Sequence, residues 1–224
     1  GNHRKEGMIM QCTILTNGEY AALFRYRSII DNSESIICAD GGANYAYQLE
    51  IVPNCIIGDM DSIYPKVLEH YTRLEVPILK YPKRKDFTDT QLALGAADEK
   101  GADSITLIGS LGGRLDHTLS NLYCCMDMVQ KGYSIMHYHP DYQVYIVNRC
   151  LELAGTAGDI VSVLALTDIA QGVTEIGFEY PLQEVVLESR NPYAVSNIMT
   201  DSTAVIQVQE GMLAVFHYPQ FPDR

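Results

Sequence analysis

Two carboxylates one residue apart, Asp59 and Asp61 in "CIIGDMDSI", stand where an apolar run stops. Like charges this close repel unless a cation or solvent screens them, so the pair reads either as a divalent-cation site or as an acidic turn. A hard ion such as Mg²⁺ takes oxygen ligands, typically one or two carboxylates completed by waters and phosphate oxygens. Asp89, or Asp86 before it in "KDFTDTQ", is placed to join from the next loop. The competing reading makes Asp61 and Asp89 helix-start residues, and Thr88 with Gln91 fits a capping box. "GSLGGRLDH" supplies Gly112 and Gly113 for a tight turn whose N–H groups can meet an anion. Arg114 can hold a phosphate bidentately, and Asp116 follows. The segment is neither a P-loop nor a GxGxxG fingerprint. "ADGGAN" adds Asp40, Gly41, Gly42 and Asn44. His117 lines the site or caps its helix. His137 and His139 lack partners at zinc spacing and read as packed or surface residues, and no GxSxG nucleophile motif is present.

These groups are useful only if the fold brings them to one place. "MIMQCTILT" (8–16), "SIICA" (35–39), "CIIG" (55–58), "VPILKY" (76–81), "SITLIG" (104–109) and "YSIMHYH" (133–139) are nearly continuous apolar runs, as in strands covered on both faces. Helical patterns lie between them, in "GGANYAYQLE", "YPKVLEHYTR", "DTQLALGAADEKG" and "DHTLSNLYCCMDMVQKG". The last sets Leu119, Leu122, Met126 and Val129 on one face and stops at Gly132. Alternation of strand and helix predicts a mainly parallel α/β sheet with right-handed crossovers. In such sheets ligands bind beyond the carboxyl ends of the strands, where four of these polar groupings fall. After residue 141 short β-rich runs separated by Gly, Pro and Asn predict a small all-β sandwich. The expected division is an α/β catalytic domain over 8–140 and a β domain over 141–224.

Composition narrows the function. The formal net charge of −12 argues against nonspecific nucleic-acid binding or an anionic membrane surface. No stretch approaches the roughly 20 apolar residues of a membrane span. "GNHRKEG" lacks the apolar core of a secretory signal. The six cysteines show no CxxC spacing, and they read as reduced core thiols of a cytoplasmic protein.

With "ADGGAN", "GDMDSI", "KDFTDTQLAL" and "GSLGGRLDHTLSNL" in this order, before a β domain holding "EYPL" and "VSN", the chain resembles the thiamin pyrophosphokinase family. The resemblance covers nearly the whole chain from about residue 10. It implies transfer of pyrophosphate from ATP to thiamin, giving thiamin diphosphate and AMP, with Mg²⁺ as cofactor and a homodimer whose sites lie at the subunit interface. Carried over by position, Asp59, Asp61 and Asp89 match the metal carboxylates. Asp40, Arg114 and Asp116 match active-site positions, and Ser196 and Asn197 match the thiamin-side segment of the β domain. Gly41, Gly42, Asn44, Asp86, Thr88, Gly112 and Gly113 fall in the same motifs. Lys85 stands where the family has a polar residue and would bring a charge to the phosphates. Animal members stack a Trp on thiamin; this chain has none, which leaves Phe216 and Tyr218 as the candidates to substitute and the stacking residue unassigned. Two other readings of the residues are a metal-dependent nucleotide phosphohydrolase and a non-catalytic nucleotide- or thiamin-binding regulator.

Overall fold

The computed structural model describes residues 10–83 and 86–220. Lys85 and the first residues of the 8–16 run lie outside them. The chain divides into two compact units, one running through Cys124 with Gly132–Ser134, the other comprising Cys125–Lys131 and the chain from Ile135.

In the first unit β1 (Gln11–Leu15), β2 (Ser35–Ala39), β3 (Cys55–Gly58), β4 (Ile78–Lys80) and β5 (Ser104–Ile108) lie in the order β5-β1-β2-β3-β4. Every one of these pairings is parallel. Cys12, Ile14, Leu15, Ile37, Cys38, Ile56, Ile105, Leu107 and Ile108 are all inaccessible to solvent. That explains runs without alternation, since side chains on both faces of the pleat are covered. Burial also pushes the thiols of Cys12 and Cys38 up, as suits packed rather than reactive cysteines.

The connecting helices are α1 (Arg27–Asp31), entered through a 3₁₀ turn at Leu23–Tyr26, α2 (Gly42–Gln48), α3 (Pro65–Arg73), α4 (Asp89–Glu99) and α5 (Leu115–Tyr123). Local signals set their ends. Pro65 opens α3, and Thr88 caps α4 in a complete capping box with Gln91. Glycine lets α2 sit close on the sheet, for a Cβ at Gly42 would lie 2.0 Å from the Leu15 carbonyl oxygen.

The last helix of the α/β region differs from expectation. The single helix expected over "DHTLSNLYCCMDMVQKG" is two, α5 and α6 (Met126–Gln130). The break falls at Cys124–Cys125, where the first compact unit ends and the second begins. Leu119, expected on the apolar face, is 51% exposed, while Leu122 and Val129 are buried. Two short helices that serve different cores need not share a face. The stop at Gly132 holds, with φ +102°.

The second unit is antiparallel. β6 (Ser134–His139), β7 (Tyr142–Val147), β9 (Ile160–Ala165), β12 (Asn197–Ile198) and β14 (Leu213–Tyr218) lie in the order β12-β9-β14-β7-β6. A second sheet has the order β11-β10-β13-β8, from β8 (Cys150–Ala154), β10 (Ile169–Ile176), β11 (Leu182–Glu188) and β13 (Thr203–Gln207). One apolar core takes Val161, Val163 and Val215 from the first sheet and Leu153, Val173, Leu187 and Ile206 from the second. This is a sandwich. His137 is buried beside Cys125, its Nε2 3.5 Å from the sulfur, and burial pushes its pKa down to about 3. It is a packed neutral histidine.

Candidate active site

Because β1 to β5 run parallel, their carboxyl ends share one edge, and the segments leaving that edge surround a cleft of about 670 Å³. Asn17 and Glu19 come from the turn after β1, Asp59 from the turn after β3, Lys83 and Phe87 from the segment between β4 and α4, Asp89 from the first turn of α4, and Gly112, Arg114, Asp116 and His117 from the segment after β5. The cleft belongs wholly to the first unit.

Three carboxylates converge there. One oxygen each from Asp40, Asp59 and Asp89 lies within 4.8 Å of the other two. Asp40 follows β2 with φ +45°, a left-handed backbone that turns its side chain into the cluster. It is 4% exposed, and its Oδ1 has no hydrogen-bond partner among the described residues. Burial raises its pKa; a hydrogen bond with Ser62 offsets part of this, and the Asp59 and Asp89 charges add to it. Gly58 makes room. A Cβ there would stand 3.0 Å from the Asp40 Cβ and 3.2 Å from the Asp89 Oδ1, at φ +144°. A buried oxygen without a partner among the described residues, facing two further carboxylates, offers the oxygen donors that a hard divalent cation takes.

Asp61 is placed elsewhere. Its backbone N–H donates to Asp59 Oδ1 at 2.9 Å across Met60, which has φ +67°. Its own carboxylate lies 3.4 Å from Lys83 Nζ, with both side chains well exposed. Nor is Asp61 a helix start, for α3 begins at Pro65. Asp89 is both things at once, the first residue of α4 and a member of the cluster. Asn44 braces this region. Its Nδ2 donates to the Ser62 carbonyl at 2.8 Å and its Oδ1 accepts from Tyr64 N–H at 3.0 Å. Gly41 and Gly42 lie buried at the start of α2, Thr88 is the cap, and Asp86 is exposed.

The diglycine turn is closed on itself. Gly112 N–H donates to Thr118 Oγ1 at 3.0 Å, and Gly113 N–H donates to Glu19 Oε2 at 3.0 Å. Arg114 donates from Nε and Nη2 to the two oxygens of Asp116, at 3.0 and 2.8 Å. That bidentate bond holds the exposed Asp116 carboxyl down at about 2. The N–H groups expected to be open to an anion therefore both have acceptors within the chain.

Two family models match the chain. Residues 26–137 match the model "Thiamin pyrophosphokinase, catalytic domain", and residues 146–213 match "Thiamin pyrophosphokinase, vitamin B1 binding domain". The chain belongs to the thiamin pyrophosphokinase family. Among characterised relatives, the thiamine pyrophosphokinase of Bacillus subtilis is 26% identical over 179 residues, covering 79% of this chain and 84% of its own. Thiamine pyrophosphokinase 1 of Oryza sativa is 31% identical over 113 residues, 41% of this chain and 43% of its own. The chain thus spans about half the length of the two rice relatives, thiamine pyrophosphokinases 1 and 3. The crystal structure of the B. subtilis thiamine pyrophosphokinase has a similar fold, with TM-score 0.82 at 22% identity over 94% of this chain and 99% of that one. So does the thiamin pyrophosphokinase of Candida albicans, with TM-score 0.73 at 16% identity over 94% and 89%.

The second family-model match contains the "VSN" segment. Ser196 is exposed at φ +58°, its N–H donating to Ser162 Oγ at 2.9 Å. Asn197 is turned inward. Its Nδ2 donates to the Tyr180 carbonyl at 2.8 Å and to Glu175 Oε1 at 3.4 Å, and its Oδ1 accepts from Tyr180 N–H and Ile198 N–H. Of the two aromatic candidates in this family member, Phe216 is half-buried and Tyr218 is 40% exposed, tilted against Tyr142 at 5.6 Å. Sequence reasoning missed Asn17 and Glu19. The available signal was "TNGEY", a fifth polar segment at the carboxyl end of a strand.

Proposed function

We propose that this chain transfers a pyrophosphoryl group from ATP to thiamin, yielding thiamin diphosphate and AMP. Family membership supports the reading, and the convergence of Asp40, Asp59 and Asp89 beside the cleft is the observation that carries it. A pure binder has little use for three carboxylates gathered around a buried member whose pKa is raised first by burial and further by the other two charges. They would hold Mg²⁺. When bound, that ion would neutralise charge on the phosphate oxygens.

The remaining work falls to the chain. The thiamin hydroxyl oxygen forms a bond to the β-phosphorus as the bond from that phosphorus to the α–β bridging oxygen breaks, AMP leaves, and the hydroxyl proton passes to a carboxylate or water. Arg114 and Lys83, both lining the cleft, face the charge that builds on phosphate oxygens once they exchange Asp116 and Asp61 for phosphate. Residues 8–140 act as the catalytic region and 141–224 as the thiamin region, with Ser196 as the exposed hydroxyl for the substrate.

Ile176, Tyr180, Val186, Tyr193 and Val195 are each about half exposed or more on the β-rich unit, which suits the homodimer we infer. Light scattering tests it: a mass of twice 25.0 kDa is expected, and a monomer mass would overturn it. All six cysteines are thiols, in keeping with a cytoplasmic, reducing setting, and no helix among the described residues is long and apolar enough to cross a membrane.

Product analysis after mixing the protein with ATP, Mg²⁺ and thiamin tests the activity. Formation of AMP that depends on thiamin supports the transferase. AMP released without thiamin would make the chain a phosphohydrolase, and bound but unconverted nucleotide would make it a regulator.

A further inference from the structure

Glu19 sits where the diglycine turn would receive an anion. Its Oε2 accepts the Gly113 N–H at 3.0 Å, from a residue 94 positions earlier in the chain. The fit is close on both glycines. A Cβ at Gly112 would stand 2.8 Å from Oε2, and one at Gly113 would stand 3.2 Å from Oε1. Only a turn without side chains admits a carboxylate this near, and the same space suits a phosphate oxygen.

The backbone beneath Glu19 is pinned while its side chain is not. The neighbouring Tyr20 hydroxyl donates toward the Thr16 carbonyl at 2.7 Å and the Ile108 carbonyl at 3.1 Å, and the Tyr20 ring stacks on Tyr45 at 4.0 Å. Thr16 adds its own bonds to the Ile108 carbonyl, from N–H at 3.0 Å and from Oγ1 at 2.9 Å. The turn after β1 is thereby tied to the end of β5, whose next residues form the diglycine turn. Glu19 itself is exposed, and a solvated charged contact of this kind is weak and easily exchanged.

The two cationic side chains of the rim also carry internal carboxylates, Asp116 on Arg114 and Asp61 on Lys83. Those two are side-chain pairs in which either member can swing. Gly113 N–H is backbone, so its partner must be the one that leaves.

We propose that Glu19 is a stand-in anion on the diglycine turn, displaced by a phosphate of the incoming nucleotide, and that its charge sets how tightly this chain holds a polyphosphate ester. The proposal rests on reading the cleft as the nucleotide site and adds a specificity-determining residue to it. Because entry is an exchange of one anion for another, it favours a ligand with several charges over a singly charged one.

Calorimetry of ATP binding in the presence of Mg²⁺, on the full chain and its Glu19→Gln and Glu19→Ala variants, tests the exchange. The Gly113 amide resonance is followed in the same titrations. Loss of the competing carboxylate should tighten ATP binding about fivefold in Glu19→Ala, with Glu19→Gln between, since its amide oxygen still accepts but carries no charge. The Gly113 resonance should move on titration in all three proteins. Unchanged or weaker ATP binding in Glu19→Ala would make Glu19 a brace of the turn and overturn the proposal, as would a Gly113 resonance indifferent to saturating ATP. The product assay on the unmodified chain separates the two readings. If it makes thiamin diphosphate while the variants bind ATP no better, the exchange alone is lost. If it makes none while Glu19→Ala still tightens ATP binding and Gly113 responds, the transferase reading is lost and the exchange stands.

Discussion

Asp59 accepts the backbone N–H of Asp61 at 2.9 Å, so the first carboxylate of the pair folds over the second residue while the second side chain turns out toward Lys83. The two charges are thus separated by a turn, with Met60 in the left-handed region between them. Asp59 joins Asp40 and Asp89, and Asp61 does not belong to that cluster among the described residues.

The two aspartates should therefore differ on substitution. Asp59→Asn removes a member of the cluster and should lower turnover by about a hundredfold or more, the scale of losing one electrostatic stabiliser of a transition state. Asp61→Asn removes a partner of exposed Lys83 and should cost at least about tenfold less. Steady-state rates across a Mg²⁺ series decide it. Equal losses would place both carboxylates on the ion.

Asp40 links the cluster to stability. Its raised pKa means that the folded state holds this proton more tightly than the unfolded state does, so its contribution to stability declines as pH rises past the ordinary carboxylate range. Without metal at pH 8, Asp40→Asn should stabilise the fold by about 1 kcal/mol, by removing a buried charge and with it the repulsion from Asp59 and Asp89. Added Mg²⁺ should raise the melting temperature of the unmodified chain progressively, with the logarithm of its concentration above the dissociation constant, and a chelator should reverse it. Thermal melts that show the same Mg²⁺-dependent rise in Asp40→Asn would remove Asp40 from the site.

Glu175 adds a second pH dependence, in the sandwich. It is inaccessible to solvent, its Oε2 has no hydrogen-bond partner among the described residues, and burial pushes its pKa up to about 7, with the Asn197 bond offsetting part. A raised carboxyl pKa makes the folded state the better proton binder, so stability is lost as pH climbs from the unfolded value of 4.5 through about 7. Glu175→Gln should stabilise by up to about 3 kcal/mol at pH 8 and by almost nothing at pH 4. Denaturant titrations at the two pH values read the difference directly; an equal effect at both would mean that charge is not the cause.

Ser196 is exposed and its backbone is already held by Ser162, so its hydroxyl is available to a substrate. One neutral hydrogen bond of about 0.5–1.5 kcal/mol predicts that Ser196→Ala raises the thiamin KM by up to about tenfold, with the ATP KM nearly unchanged. A shift in the ATP KM instead would move Ser196 to the nucleotide side.

The sandwich and the parallel sheet were legible in the residues because continuous apolar runs and short β-rich runs report burial, and burial is a local property of each strand. The cap at Thr88 and the stop at Gly132 were equally local, each being a matter of a few neighbouring dihedrals and one or two hydrogen bonds. The break at Cys124–Cys125 was not, since one helical periodicity runs through it and only the two separate cores interrupt it.

By itself the sequence determined the chemistry available, namely carboxylates, a diglycine turn and an arginine, each at the end of an apolar run. Which of them meet was decided by tertiary structure. Parallel register brings Asp40 beside Asp59 and Asp89, and Gly58 leaves the space between them. The turn after β1 carries Glu19 to Gly113 across 94 positions that no local pattern spans. Hydrogen bonds and charge clusters act through a few ångströms of space, and separation along the chain does not report that distance until the strands are ordered.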